Sequence, residues 1–269
     1  MSEYIIKKPD AEGVFVRRLN RFVGIGIVNG KEEFIHIHDP GRLMELLRPG
    51  TRFFAYSKST GKTRFYLVAV DLGDELVLVN SAIHNDIAAW LINNGYVLNG
   101  YEVIRKEPGF GNGRFDLLLK SPSGGYAFVE VKGVTLEENE IAKFPDAPTS
   151  RGARHMLELA RAAELGYEAY VLFLVFRSKA KLFMPNASLD PKFAESLKYA
   201  LNHGVKALAY KLMLTRDWAI IQWADLKLGL SKVSEGDFNH WSSTEVFIMR
   251  SLPGQFGTQY VRAHITPWV

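Results

Sequence analysis

The 269-residue chain contains no cysteine. Disulfides and thiolate metal centres are therefore excluded. No apolar run approaches the roughly 20 residues that carry a helix across a bilayer, so no membrane association is expected. The start, MSEYIIKKPDAEG, does not read as a secretory signal, and a cytoplasmic protein is expected. Seven histidines are present, but none shows HExxH-type spacing. Gly109-Phe110-Gly111-Asn112-Gly113 is glycine-rich yet leads into a strand, with no GK[ST] behind it, so a P-loop and nucleotide hydrolysis are rejected. Strong charge of one sign is also missing. A net charge of +4 permits phosphate contacts without requiring them.

What is present is 47% hydrophobic content, enough for one or two domains with a real core. From Val14 to Asn80 the text reads as short strands broken by Gly24, Gly26, Pro40-Gly41, Pro49-Gly50 and Gly61. Asn29-Gly30 between two apolar runs is a hairpin signal. Gly41–Leu47 predicts a short helical piece. Strands are expected at Arg52–Tyr56, Arg64–Asp71 and Glu75–Val79. Five strands with one small helix suit an OB-like β-barrel over residues 1–80. Such barrels bind single strands or other phosphates; a plain support domain is the alternative. Arg21, His36, His38 and Arg42 lie near strand ends, where they can meet phosphate. Phe22, Phe53, Phe54 and Tyr56 can stack on bases or form core.

After Asn80 the pattern changes to strands alternating with helices, an α/β domain over residues 81–213. Helices are expected at Asn85–Asn94, at Arg151–Leu165 and after Asp190-Pro191. Ser150 or Thr149 caps the second and Gly166 ends it. Its apolar side reads as Ala153, Met156, Leu157 and Ala160. Arg151, His155 and Glu158 read as its opposite side. Strands are expected at Tyr101–Lys106, Arg114–Lys120, Tyr126–Lys132, Tyr170–Phe176 and Val205–Tyr210. Leu136–Ser150 reads as a loop, with Glu137, Glu138 and Glu140 solvated. Residues 214–269 hold Trp218, Trp223, Trp241 and Trp268 and read as an extension of unknown role.

The stretch GRFDLLLKSPSGGYAFVEVK, from Gly113 to Lys132, carries the chemistry. It sets Asp116 in one apolar run and Glu130 and Lys132 in the next, across a turn-like linker. Adjacent strands would bring Asp116 and Glu130 together, and Lys132, at i+2, shares the face of Glu130. Charge in such a run needs partners or a metal. Two carboxylates suit a hard cation, Mg²⁺ or Mn²⁺, that binds a phosphodiester and a water, with the Val131 carbonyl as a further ligand. Lys132 would orient the water. The plainer alternative is a hairpin with an ordinary Glu–Lys pair. Arg151, Arg154 and Arg161 can touch a phosphate backbone or form a solvated helix face. His155 can serve as an acid, a phosphate donor or a structural partner.

Several segments together resemble the sugar fermentation stimulation protein family: RFVGIGIV, HIHDPGRLMELLRPG, GFGNGRFDLLL, FVEVKGVTLEENEIAKFPDAPTSRGARHMLEL and GVKALAY. The resemblance runs from about Arg17 to Tyr210. It implies an OB-like barrel followed by a PD-(D/E)xK nuclease-type α/β domain, and DNA as partner. It makes Asp116, Glu130 and Lys132 the nuclease-motif positions, and Arg151 and His155 members of an RG-x-x-H segment. The family often has VEVKNVTL where Gly133 stands here, and usually reads near HCPNTG where this chain has His36-Ile37-His38-Asp39-Pro40-Gly41. Nucleases of this class often add an acid from the first helix, for which Asp86 and Glu107 are candidates. Three readings follow: a metal-dependent nuclease, a non-catalytic DNA-binding regulator of sugar-utilisation genes, and a binding module for a small effector. A homodimer is left open.

Overall fold

The computed structural model describes residues 3–229 and two further strands, Glu245–Arg250 and Gln259–His264. Trp241 and Trp268 lie outside the described residues. Among those described, no helix is long and apolar enough to cross a membrane.

Five strands form the N-terminal barrel: β1 (Ala11–Asn20), β2 (Val23–Val28), β3 (Lys31–His36), β4 (Arg52–Ser57) and β5 (Phe65–Asp71). Their order is β3-β2-β1-β4-β5, and the pairs Ile35↔Phe65 and His36↔Tyr66 close the ring. Closure joins the two end strands of the barrel through this short parallel contact. Asn29 and Gly30 both take positive φ, 51° and 74°, as a tight hairpin turn needs. Phe15, Ile35, Phe53 and Leu67 fill the interior. Gly26 is required there, because a Cβ would stand 2.6 Å from both Phe53 and Ile35.

The short helix expected at Gly41–Leu47 does not form. The segment makes one turn, closed by Leu47 N donating to Leu43 O at 2.8 Å. Leu43 sits at φ 51°, a left-handed conformation that a right-handed helix cannot continue through. A tertiary contact fastens the turn instead: Leu43 N donates to Asp146 Oδ2 at 3.1 Å.

The second domain shares one continuous thirteen-stranded sheet with the barrel. β6 (Leu76–Leu78) and α1 (His84–Asn93) lead into it. Then come β7 (Glu102–Lys106), β8 (Leu117–Lys120), β9 (Tyr126–Val134), α2 (Ser150–Glu164), β10 (Glu168–Val175), α3 (Pro191–Asn202), β11 (Lys206–Leu214) and β12 (Ala219–Asp225). β9, β10 and β11 are parallel neighbours. Beyond Glu168, β10 is buried on both faces, as a central parallel strand should be. The pair Leu214↔Leu76 joins β11 to β6 and so to the barrel. β11 runs past the expected end at Tyr210 because β12 pairs antiparallel along it. The expected boundary at residue 213 falls within this strand.

α2 and α3 cover one face of the sheet and form a core with Phe115, Phe128, Phe173 and Phe193. α1 and the barrel pack on the other face around Val129, Leu172 and Leu208. The caps follow the sequence. Thr149 Oγ1 accepts from Gly152 N at 3.0 Å, and Asp190 Oδ1 accepts from Phe193 N at 2.9 Å.

The stretch read as a loop carries two short strands, Glu137–Glu138 and Ile141–Phe144. Glu137 is not solvated. Its carboxylate pairs with Arg177 at 3.1 Å, and Arg177 also binds Glu75 at 2.8 Å. Ser178 adds two bonds to Glu75, from N at 2.7 Å and from Oγ at 2.6 Å. This buried knot ties the chain after β10 to the segment before β6.

Candidate functional site

β8 and β9 pair antiparallel with Leu117 opposite Val129. Asp116 stands just before β8, and its N–H donates to Val129 O at 3.2 Å. Its two carboxylate oxygens are fixed separately. Oδ2 accepts from Val131 N at 2.7 Å, and Oδ1 accepts from Asn85 Nδ2 at 2.9 Å. Asn85, in the first turn of α1, was not anticipated from the sequence.

Glu130 and Lys132 point from one face of β9, as the i, i+2 spacing requires. Lys132 Nζ lies 2.5 Å from Glu130 Oε1. The same oxygen meets His155 Nδ1, reaching down from α2. His155 is therefore on the buried side of its helix, not the outer side, and is only 3% exposed. Leu157, expected on the apolar side, is instead exposed. Arg151 Nε approaches His155 Nε2 at 3.4 Å. A donor at Nε2 leaves Nδ1 as the nitrogen that carries hydrogen toward Glu130. Arg151, His155, Glu130 and Lys132 thus form one connected chain of contacts.

Glu130 Oε2 is buried and has no hydrogen-bond partner among the described residues. A carboxylate offers about four lone-pair positions. On Glu130 the protein engages only Oε1.

The two carboxyls differ in electrostatics. Burial pushes Asp116 above the usual carboxylate range, and the neighbouring Glu130 charge adds to this. Burial also acts to raise Glu130, but the Lys132 ammonium and the His155 contacts outweigh it and hold Glu130 below its usual range. A cation between the two would favour ionised Asp116.

The suggested third acids do not join them. Asp86 pairs with Lys106, and Glu107 pairs with Arg114 at 3.2 Å, all four side chains being well exposed. Among the described residues, no group of three or more Asp, Glu or His converges as a metal cage. Arg154 pairs with Glu158 at 3.5 Å, outside the contact chain. Arg21 and Arg42 lie on the barrel rim, beside Ala147 and Pro148. Of the barrel aromatics, Phe53 is core and Phe54 packs against Trp218 at 5.0 Å, whereas Phe22 is exposed.

Residues 16–79 match the model of the SfsA N-terminal OB domain, and residues 82–218 match the sugar fermentation stimulation protein RE domain. The chain belongs to the sugar fermentation stimulation protein family. A sugar fermentation stimulation protein homologue from Caldivirga maquilingensis is 69% identical over 221 residues, covering 82% of this chain and 96% of the relative. One from Methanothermobacter thermautotrophicus is 43% identical, covering 79% and 89%. The solved structure of Pyrococcus furiosus SfsA in complex with Ca²⁺ aligns with a TM-score of 0.77 at 31% identity, covering 84% of this chain and 99% of that one.

Gly133, in β9, stands where no side chain fits. A Cβ at 133 would overlap the ring of His84, which stacks on Phe176 with centroids 4.9 Å apart. Burial pushes His84 down to about 3, so its ring packs uncharged.

Proposed function

We propose that the protein is a divalent-metal-dependent DNA nuclease of the PD-(D/E)xK type. Asp116 and Glu130 would hold the ion, with the Val131 carbonyl as a further ligand. The observation that carries this reading is Glu130 Oε2, a buried carboxylate oxygen without a partner among the described residues. A lone buried anion oxygen is costly, and a hard cation would satisfy it. The donor set is all oxygen, which suits Mg²⁺ or Mn²⁺. The relative solved with Ca²⁺ agrees with a hard-cation site.

When bound, such an ion would polarise the phosphodiester and lower the pKa of a water. The chain's own residues have separate tasks. Val131 N and Asn85 set the orientation of Asp116. His155 holds Glu130 from behind and is a positioning residue, too buried to meet the phosphate itself. Lys132 keeps Glu130 ionised, and its remaining N–H groups can orient a water or a phosphate oxygen. Arg151, an exposed residue next to this group, would contact phosphate. Arg154, Arg21 and Arg42 would extend that contact along the DNA.

One observation favours a second reading, a DNA-binding regulator without turnover. Asn85, not an acid, comes from the first helix to meet Asp116. The test is incubation of labelled single- and double-stranded DNA with Mg²⁺ or Mn²⁺, using wild type, Asp116→Ala, Glu130→Ala and Lys132→Ala. Cleavage by wild type alone is expected, with DNA affinity retained in the variants. Cleavage that persists in both carboxylate variants refutes the assignment. Binding without cleavage in every case establishes the regulator.

A further inference from the structure

The connection from β7 to β8 is a small ribbon that carries the glycine-rich segment Gly109–Gly113. Its strands, Gly109–Phe110 and Gly113–Arg114, pair antiparallel with Arg114 opposite Gly109. The base of the ribbon is the candidate centre itself, since Glu107 N donates to Asp116 O at 2.9 Å. Phe110 pins the ribbon to the core: its ring centroid lies 5.1 Å from that of Phe115 and 5.2 Å from that of Phe128. The ribbon is therefore held in a fixed place beside Asp116. Gly109 stands two residue steps from the base, about 7 Å along the strand.

A glycine is needed where φ is positive, where neighbours leave no room for a Cβ, or where a ligand comes close to the backbone. Gly111 is explained by its φ of 55° at the turn. A Cβ at Gly113 would come within 3.3 Å of Glu158 Oε2. Gly109 has neither reason. Its φ is not positive, and nothing lies within 4 Å of the place its Cβ would take. Among the described glycines it alone lacks both. Glycine also weakens a strand, so the fold itself would be better served by a side chain there.

The backbone at Gly109 is open as well as bare. Phe115 N donates to Pro108 O at 3.1 Å, so the adjacent pair Gly109↔Arg114 is of the kind that does not bond across the ribbon. The N–H and carbonyl of Gly109 point outward, at an exposed position. The Glu107 carboxylate nearby is matched by Arg114 at 3.2 Å, so it does not face this edge as a free anion.

We propose that the outer edge of this ribbon lies against the sugar–phosphate backbone of DNA held at the Asp116–Glu130 centre, with the Gly109 N–H donating to a phosphate oxygen. The choice of DNA rests on the nuclease reading above; the close approach rests on the ribbon. Backbone N–H groups are regular partners of phosphate oxygens. The missing Cβ lets the strand come within contact distance, and the anchored ribbon has little order to gain on binding.

The test combines fluorescence anisotropy on labelled single- and double-stranded DNA, with EDTA present so that no strand is cut, and thermal unfolding of the same preparations. Gly109→Ala and Gly109→Leu should keep the Tm of wild type, because the added atoms meet nothing in the fold. Affinity should fall with the size of the side chain, by roughly 10- to 150-fold for Gly109→Leu, the worth of a hydrogen bond to a charged group. Gly30→Asn, at an equally open turn of the barrel, should leave affinity unchanged. Wild-type affinity in Gly109→Leu overturns the proposal. So does a clear loss of Tm in Gly109→Ala, which would give the glycine a role in the fold. Graded loss of binding, with no cleavage by wild type in Mg²⁺, sinks the nuclease reading alone. Cleavage by wild type, with undiminished binding and cleavage by Gly109→Leu, sinks the ribbon contact alone.

Discussion

The Glu75–Arg177 knot should be one of the most sensitive points in the molecule. Their side chains are 5% and 8% exposed, and Glu137, the third member, is 9% exposed. Glu75 accepts three hydrogen bonds, and Arg177 spends a further one on Thr135 O at 3.0 Å. Glu75→Ala leaves the guanidinium buried with half its anionic partners and strands the Ser178 donors. Removing one member of such a pair costs about 3–5 kcal/mol. Glu75→Gln is nearly isosteric but fares little better. Its NH₂ must face either Arg177 Nε or the Ser178 backbone N–H, both of which can only donate. For a chain of this size, about 3–5 kcal/mol corresponds to a fall in Tm of roughly 6–20 °C. Urea unfolding of wild type, Glu75→Ala, Arg177→Met and the double variant Glu75→Leu/Arg177→Met measures it. The singles should be strongly destabilised, and the double should recover only part of the loss, because Glu137 then lacks its buried cation and the Ser178 donors their acceptor. A Glu75→Ala loss below about 1 kcal/mol would refute the reasoning, since it would mean that water or repacking satisfies Arg177.

Three other outcomes are expected. Burial pushes Asp39 up to about 6 from an ordinary 3.8, so the folded state holds a proton that the unfolded chain has released between those values. Stability is then lost as pH rises through that window, and Asp39→Asn, which keeps the oxygen for Gly41 N, should stabilise the protein by about 1–3 kcal/mol at pH near 7.5 but not near pH 4, read as Tm at both. Gly133→Asn should destabilise by about 1–3 kcal/mol through overlap with His84, and His84→Ala should relieve it. Penalties that add to within about 0.5 kcal/mol in this double-mutant cycle would show the two sites to be uncoupled. Mn²⁺ should raise the Tm of wild type and leave that of Glu130→Ala unmoved; an equal rise in both would place the ion elsewhere.

The elements that were legible in the sequence are those set by local chemistry. Asn29-Gly30 turns the hairpin because both positions need positive φ. Thr149 and Asp190 start helices because their oxygens meet free N–H groups. The misread elements depend on distant partners. Gly41–Leu47 has a helical pattern, but Asp146, about a hundred positions away, captures Leu43 N and the turn stops there. Arg18 looks like any surface arginine, yet its guanidinium donates to the carbonyls of Gly41 and Arg42 and fastens the barrel rim. Glu75 and Arg177 carry no mutual signal across 102 positions.

The clustering of residues at the candidate site was legible for a different reason. Glu130 and Lys132 interrupt an apolar strand, and buried charge without a partner is too costly to persist. That argument predicts that partners exist but cannot name them all. His155 shows why. Its position, three after Gly152 and four before Leu159, places it on the buried stripe of α2, and its polarity alone suggested the outer face. A polar residue at an apolar position of a helix is informative when a buried charge on the neighbouring strand still lacks a partner. Had the two anomalies been matched, the His155–Glu130 contact would have followed from the pattern. Applied to what remains unmatched, the same logic singles out Glu130 Oε2, which no side chain in the described structure answers.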